Sequence, residues 1–388
     1  MKISFATSLL ATSVLSFTAA AQLAVSSNDG KGILVAGVNT VPDSPPADNI
    51  SIIDLNVTPP KVLATVIVPT SLVGPPQSVA IAPDESFALV TAATQLDPND
   101  KKKLVPHNIV SVIDLKAKPP AVIQTIEAGV SATNVAINPS GTLALVTNRG
   151  EGTVSVFTIA GKTLTAAGKI KLGDAASSPN SVAFTPDGKS ALVTMGGEHK
   201  TALLTVTGNN VENAKRDIYG GLRPYPLGIS PRGDWAVIGN VGMGGGDNDT
   251  ISLIDLKANP VRVVDTITVG MTPESLTVAP DGKHVVVTVI NGSSRPPGSP
   301  FLNPTCLVPV YAVENMKFRK VAEAKAGVWC QGAAWNKTST LLLVQSMAHQ
   351  NIQMFKFDGK SLTAAGAIPV SGGPSGFATT PPKPVAQR

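Results

Sequence analysis

The chain repeats one short phrase along its length. PQSVAIAPDESFALVT at 76–91, PNSVAFTPDGKSALVT at 179–194 and PESLTVAPDGKHVVVT at 273–288 are versions of the same pattern. Aligned on the central proline, the copies fall at Pro83, Pro139, Pro186, Pro231, Pro280, Lys337 and Pro381. Intervals of 56, 47, 45, 49 and 57 residues separate the first six copies. Repeats of this length are typical of the four-stranded blades of a β-propeller.

Each repeat divides into four predicted strands, here named A to D. The phrase itself is strand A, a run such as ALVT is strand B, a run such as DTISLIDL at 249–256 is strand C, and a run such as VRVVDTITVG at 261–270 is strand D. Short runs rich in Val, Ile and Thr between Gly, Pro, Asn and Asp clusters predict strands. No convincing helical period occurs after residue 21.

The middle of each strand A carries a small residue. Blades converge on a central axis, so space is tightest on the innermost strand, and sheets covered on both faces favour continuous apolar runs. The small positions are Ala80, Ala136, Ala183, Gly228, Thr277, Ala334 and Ala378. Pro-Asp-Gly at 186–188 and 280–282 then predicts a tight turn into strand B.

The two ends of the chain complete a seventh blade. The opening piece supplies NDGKGILVAG, NISIIDL and KVLATVIVP, and we expect PSGFATTP at 374–381 to supply its strand A. Residues 23–27, in the stretch LAVSSNDGK at 23–31, compete for the same position. The sequence thus predicts an all-β fold, a seven-bladed β-propeller of four-stranded blades closed by the C-terminal strand, with 22–388 as one domain.

Residues 1–21 have the features of an export signal. Lys2 precedes an apolar run over 3–17, and small residues end the segment at Ala21. The run is shorter than a membrane span requires. We therefore expect a mature chain starting at Gln22, periplasmic or secreted, with no membrane anchor.

Composition argues against nucleic-acid binding. The formal net charge of +5 falls to +4 without Lys2, and no run of basic residues interleaved with aromatics is present. His107, His199, His284 and His349 lack metal-ligand spacing, so we expect no metal. There is also no GxSxG motif and no series of Trp-bearing motifs of the kind expected in quinone-dependent propellers, so we expect no cofactor.

Two cysteines, Cys306 and Cys330, lie close to the predicted channel face. In an oxidising compartment a disulfide between them is the economical interpretation, and two free buried cysteines are the alternative.

Strand A begins at the mouth of the channel, where the B-to-C loops also lie. The mouth positions are Gln77, Thr133, Asn180, Tyr225, Glu274, Gln331 and Ser375. We expect ligand contacts from Gln77, Asn180, Tyr225, Glu274 and Gln331, because a polar concavity with a charged group suits a binding site. A merely solvated channel would also carry a polar ring.

The pattern P-x-S-V-A-x-x-P-D-G-K, followed by LVT, TVSVIDL and a Val-rich strand ending in Gly, resembles the YVTN-type propellers and the wider lactonase-like seven-bladed β-propeller family. The resemblance covers residues 22–382 and is specific for fold more than for function.

Two functions remain open. One is an exported monomer that binds a small polar ligand or a protein partner at the channel face. The other, implied by the resemblance, is a lactonase-like hydrolase acting on a small lactone or sugar-acid ester, in which Glu274 activates water and Arg149 or His199 stabilises an oxyanion. Lactonase-type entrances carry Arg and His at inner-strand starts, and none of the seven here does, which favours binding.

Overall fold

The computed structural model describes residues 22–381, and the predicted export signal lies outside them. Seven four-stranded antiparallel sheets form the blades of a propeller. From the axis outward, blade 1 comprises Gly373–Thr379, Leu23–Asp29, Asn49–Asp54 and Lys61–Ile67. Blade 2 comprises Val79–Ile81, Phe87–Leu96, Leu104–Asp114 and Ala121–Glu127. Blade 3 comprises Ala132–Ile137, Leu143–Asn148, Thr153–Ala160 and Thr163–Lys171.

The other four blades follow in chain order. Blade 4 comprises Pro179–Phe184, Ser190–Met195, Lys200–Thr207 and Asn210–Ile218. Blade 5 comprises Pro224–Ile229, Trp235–Asn240, Asp249–Asp255 and Arg262–Gly270. Blade 6 comprises Pro273–Val278, His284–Val289, Leu307–Glu314 and Lys317–Lys325. Blade 7 comprises Cys330–Trp335, Leu341–Ser346, Asn351–Phe357 and Leu362–Pro369.

Outside the blades lie a hairpin of Ile33–Val35 with Val38–Thr40 and two single-turn 3-10 helices, Ala175–Ser177 and Gly196–Glu198. Within residues 22–381, no helix is long and apolar enough to cross a membrane.

The C-terminal strand closes the ring, as predicted. Gly373–Thr379 pairs antiparallel with Leu23–Asp29, with Ala378 opposite Val25. The competing prediction for residues 23–27 is wrong, because this fully buried stretch is strand B of the same blade. The ILV of the predicted opening piece forms the hairpin strand Ile33–Val35 instead.

Glu85 of blade 2 stabilises the closure of the ring through hydrogen bonds to blade 1. It stands where other copies of the repeat have glycine, with φ of 58°, and its side chain is buried. Its Oε1 accepts hydrogen bonds from the Leu23 N–H at 3.0 Å and from the Thr380 hydroxyl. One carboxyl group thus holds both ends of blade 1.

The core lies between neighbouring blades. Val25 and Ile50 of blade 1 pack with Val79 and Val90 of blade 2, and the same arrangement recurs around the ring. Strands B are buried on both faces, and a fully buried aliphatic side chain contributes about 1.5–3 kcal/mol. The tight inner strand is evident at Gly228, where an added Cβ would lie 2.8 Å from Leu276 Cδ1. The repeat therefore carries small residues at this position because the space between the inner strands of neighbouring blades is narrow.

Two long segments join strands B and C on the entrance face, one in blade 2 and one in blade 6, and they take different conformations. Residues 92–107 mostly extend strands B and C of blade 2 into a longer hairpin. Residues 289–305 pack on the Gly-rich loop of blade 5, where Arg295 Nη2 donates to Gly244 O at 2.5 Å.

The cysteines form the predicted pair. Cys306 and Cys330 are joined through their sulfur atoms with Cα atoms 6.2 Å apart, and they link the start of strand C in blade 6 to strand A of blade 7. The bond fixes two neighbouring blades on the entrance side.

Candidate functional site

The threonine of the LVT motif positions the residues at the channel mouth. In four blades its hydroxyl donates to the backbone carbonyl of the mouth residue in the next blade. These bonds are Thr91 to Thr133 at 2.8 Å, Thr147 to Asn180 at 2.7 Å, Thr194 to Tyr225 at 2.8 Å and Thr288 to Gln331 at 2.6 Å. The repeated motif therefore holds the backbone of these four mouth residues through a hydrogen bond from the neighbouring blade.

The seven predicted mouth residues are enclosed to different degrees. Thr133, Asn180, Gln331 and Ser375 are buried, each at most 2% exposed, so they do not present broad surfaces to solvent. Tyr225, Glu274 and Gln77 are half-buried, and the amide of Gln77 is bonded to blades 4 and 5. The accessible part of the ring is therefore on blades 5 and 6.

Gln77 reaches across the channel below the mouth. Its Nε2 donates to Leu227 O at 2.8 Å on blade 5, and its Oε1 accepts the Ser181 hydroxyl at 2.6 Å on blade 4. Asn134 Nδ2 donates to Gln77 O at 2.6 Å, and Asn134 Oδ1 accepts the Val182 N–H at 2.8 Å. Both ends of the Gln77 amide are thus engaged within the protein, and we name Gln77, Asn134 and Ser181 the Gln77 layer.

Glu274 is the acidic group of the mouth. Burial raises the pKa of its carboxyl to about 7, and the positive charge of Arg149 opposes that rise. The carboxyl forms no hydrogen bond and no ion pair within 4 Å among residues 22–381. A carboxyl with a pKa near neutrality and free lone pairs can accept a ligand proton or take one from water.

Arg149 supplies the positive charge from the B-to-C loop of blade 3. Its Nε donates to the Ser178 hydroxyl at 3.0 Å, and its guanidinium carbon lies 5.9 Å from the centre of the Tyr225 ring. The pKa of Tyr225 is raised, first by burial and then by the nearby Glu274 charge, so the phenol stays protonated. Arg149, Tyr225 and Glu274, the entrance triad below, thus form one electrostatic cluster.

Asn180 and His199 are the two predicted site residues on blade 4. Asn180 Nδ2 donates to Pro224 O at 3.2 Å, directly before Tyr225. His199 is exposed at the rim, and its Nδ1 accepts the Arg223 N–H at 3.2 Å. No contact joins His199 to Glu274, so the predicted oxyanion role of His199 gains no support. Arg149, by contrast, is close enough to Glu274 for its charge to lower the pKa of that carboxyl.

Gln331 is the neighbour of Glu274 on blade 7. Neither Oε1 nor Nε2 of its amide has a hydrogen-bond partner among the described residues, and the Ser375 hydroxyl on blade 1 also lacks one. Buried amides are almost always hydrogen-bonded in folded proteins. This side of the ring therefore retains unused donors and acceptors.

Sequence reasoning missed Ser178, Asn134 and Ser181, and it predicted Gln77 as a ligand contact and not as part of a layer. Ser178 precedes strand A in a left-handed turn, with φ of 49°, and nothing in its local sequence marks it as a partner of Arg149. Asn134 could have been found, because it breaks the pattern of Ser or small residues at that position. Within residues 22–381, no group of three His, Cys, Asp or Glu residues could hold a metal ion.

Comparison with known proteins gives the fold. No protein-family model and no curated protein match the sequence. A proposed 6-phosphogluconolactonase from Bacteroides fragilis has a TM-score of 0.70 at 17% identity, covering 94% of this chain and 99% of that chain. The periplasmic gluconolactonase of Pseudomonas aeruginosa has a TM-score of 0.63 at 16% identity, covering 93% and 99%. The chain shares the propeller fold of these two structures. At these identities the likeness extends to the fold alone.

Proposed function

We propose that the protein binds a small polar ligand at the channel entrance, between Arg149, Tyr225 and Glu274. The observation that carries the proposal is the half-buried Glu274 carboxyl, which has no partner in the described chain and lies beside a fixed guanidinium. A half-buried carboxyl without a hydrogen bond costs folding free energy, and carboxyls with a pKa raised in this way occur preferentially at functional sites.

The site favours a ligand rich in oxygen atoms. Arg149 can donate to a carboxylate or carbonyl oxygen, and the protonated Tyr225 can donate a further hydrogen bond. Glu274 can accept from a hydroxyl group. A hydroxylated acid or its lactone satisfies all three groups.

The compartment agrees with this ligand class. A disulfide is typical of proteins outside the cytoplasm, and Cys306–Cys330 is such a bond. We propose that the protein acts in the periplasm or after secretion, where small sugar acids can reach it without passing the inner membrane.

Calorimetric titration with D-gluconate, D-glucono-1,5-lactone and D-glucose tests the proposal. We expect binding of the acid or the lactone, about tenfold or more weaker in Arg149→Met and in Glu274→Gln, because hydrogen bonds to charged groups contribute roughly 1.5–3 kcal/mol. Glu212→Gln, on the exposed outer strand of blade 4, is the matched control and should bind like wild type. Unchanged affinity in both entrance variants would place the site elsewhere, and no binding of any of the three compounds would refute this ligand class.

Lactone hydrolysis is the second candidate, and the pKa of Glu274 favours it. A general base is most effective when its pKa is close to the working pH, and about 7 meets that condition. Arg149 would stabilise the negative charge that develops on the carbonyl oxygen after water attacks. The gluconolactonase activity named for the Pseudomonas aeruginosa structure is consistent with this chemistry.

Proton release from D-glucono-1,5-lactone between pH 6 and 8 distinguishes hydrolysis from binding alone. If Glu274 is the base, Glu274→Gln should lower the enzymatic rate by about a hundredfold. The wild-type rate should rise with pH through the pKa of Glu274. A wild-type rate equal to the buffer rate would leave binding as the function.

A further inference from the structure

A second cavity lies in the central channel on the far side of the Gln77 layer. It has a volume of about 520 Å³ and runs along the inner strands to the prolines of the A-to-B turns, among them Pro83, Pro139 and Pro186. Every side chain that lines it is apolar except Thr379. A smaller space of about 250 Å³ continues it up to Gln77. We name the larger space the proline-side funnel.

The Gln77 layer separates this funnel from the entrance triad. The amide of Gln77 bridges blades 2, 4 and 5 by bonds of 2.8 and 2.6 Å, and no residue of the entrance triad lines the funnel. The funnel is thus a site distinct from the proposed entrance site.

The funnel has the size and character of an apolar ligand site. Cavities of roughly 300–1,000 Å³ with mostly apolar walls are typical of small-molecule sites, and apolar cavities take up apolar molecules in preference to water. Its walls include Ala136, Ile137, Ala183 and Ile229, all of which remain partly exposed to the channel. Partly exposed apolar side chains in a concave space gain free energy when an apolar group covers them.

Cationic side chains flank the funnel on one side. Pro186 and Pro231 line both the funnel and a neighbouring cavity of about 450 Å³, which also contains Lys189, Arg232 and Lys257. Asp187 lines that cavity beside the three cations, and Asp234 forms an ion pair with Arg232 at 2.9 Å. Asp187 already accepts hydrogen bonds from the Thr185 hydroxyl and the Lys189 N–H. An excess of positive charge next to an apolar space is complementary to an amphipathic anion.

We propose that the proline-side funnel binds a small amphipathic anion, with its unbranched apolar tail between the inner strands and its carboxylate near Lys189 and Lys257. The tail provides the affinity and the lysines select the anionic head. The same tail with a neutral head should bind without contribution from the lysines.

Titration with sodium decanoate and with 1-decanol tests both parts of the proposal. Ala183→Phe places a ring in the funnel and should weaken decanoate binding about tenfold or more, since it excludes the tail. Lys189→Ala combined with Lys257→Ala should weaken decanoate binding up to about thirtyfold and leave decanol unaffected, because two exposed ion pairs contribute at most about 1 kcal/mol each. Lys360→Ala, an exposed lysine of blade 7, is the control. Absence of decanoate binding to wild type, or equal binding by Ala183→Phe, would overturn the proposal.

A wild-type measurement keeps the test independent of how Ala183→Phe folds. Decanoate with a nitroxide near its methyl end should broaden the methyl NMR signals of Ile81, Ile137 and Ile229, which line the funnel. The signals of Ile50 and Ile352, buried in blades 1 and 7, should stay sharp. Broadening confined to other isoleucines, or none at saturating ligand, would refute the assignment.

Discussion

Glu274 owes its raised pKa to its place in the ring. Its neighbours in sequence, Pro273 and Ser275, are uncharged, and the groups that act on its carboxyl come from other blades. Burial at the mouth raises the pKa and Arg149 of blade 3 lowers it. The residue was predictable as a candidate because the repeat marks its position. Its pKa was not, because nothing local indicates Arg149 or Ser178.

The pH dependence of stability should report this carboxyl. Its folded-state pKa of about 7 exceeds the ordinary 4.5, so between these values the folded protein holds a proton that the unfolded chain has lost. That contribution to stability is fully present below pH 4.5 and is lost as the pH rises through 7. Glu274→Gln, which mimics the protonated form, should therefore raise the free energy of unfolding relative to wild type by about 1–3 kcal/mol at pH 8. Urea titrations at pH 5 and pH 8 measure the difference.

Glu212→Gln is the control for this experiment, since its side chain is exposed. It should give the same small change at both pH values. A Glu274→Gln effect that is equal at pH 5 and pH 8 would contradict the raised pKa.

Thr194 gives a second test at the residue scale. Its hydroxyl donates to Tyr225 O at 2.8 Å and accepts the Ser181 N–H at 2.9 Å, and the residue is fully buried. Thr194→Val leaves both backbone groups unpaired and should cost roughly 1–3 kcal/mol of stability. Thr205→Val, exposed in the same blade, should cost far less. Equal losses in thermal unfolding would mean that the LVT threonine is not a link between blades.

The C-terminal strand is the element on which ring closure depends. Without Gly373–Thr379, the inner edge of Leu23–Asp29 is exposed, and Phe377 is lost from the core between blades 7 and 1. Deletion of residues 373–388 should abolish cooperative unfolding or solubility. Deletion of residues 382–388 alone is the matched control and should keep the wild-type melting temperature. A protein lacking 373–388 that melts like wild type would show that closure does not need this strand.

Strands were predictable where the repeat is regular and were not where the chain departs from it. The Pro-Asp-Gly turns and small residues identified the inner strands, because they follow from the geometry of converging blades. Leu23–Asp29 carries LAVSSND in place of an ALVT run. Its buried polar residues are hydrogen-bonded to residues far away in the sequence; Gln345 Nε2, for example, donates to Ser26 Oγ at 2.7 Å. Residues 92–107 contain turn-forming residues, yet they extend a hairpin whose Lys102 contacts Asp43 of another blade.

At the scale of the whole molecule, the disulfide adds a covalent link between blades 6 and 7, which also meet through packing and hydrogen bonds such as Thr288 Oγ1 to Gln331 O. It closes a segment with a sequence separation of 24, and a loop of this length corresponds to about 3 kcal/mol in the chain-entropy account. The double variant Cys306→Ala, Cys330→Ala should lose about 2–4 kcal/mol in denaturant unfolding. Peptide mapping without reductant should show the two cysteines linked, and two alkylatable thiols in the native protein would contradict the pairing.

The ring also explains why the mouth positions could be predicted from the sequence and the Gln77 layer could not. The mouth positions are marked by a repeated motif, whereas the Gln77 layer depends on a side chain that crosses the channel to Leu227. No spacing in the sequence indicates contacts across the axis. The division of the channel into an entrance and a funnel is therefore a property of the assembled ring.

The pKa of Glu274 is the measurement that tests the central claim most directly, since the entrance triad exists only if the closed ring brings Glu274 and Arg149 together. Carbon-13 NMR of protein labelled at the glutamate carboxyl, with Glu274→Gln for assignment, should give a pKa of about 7. In Arg149→Met the pKa should rise further, because the opposing positive charge is removed. A value near 4.5 in wild type, unchanged in Arg149→Met, would contradict the account.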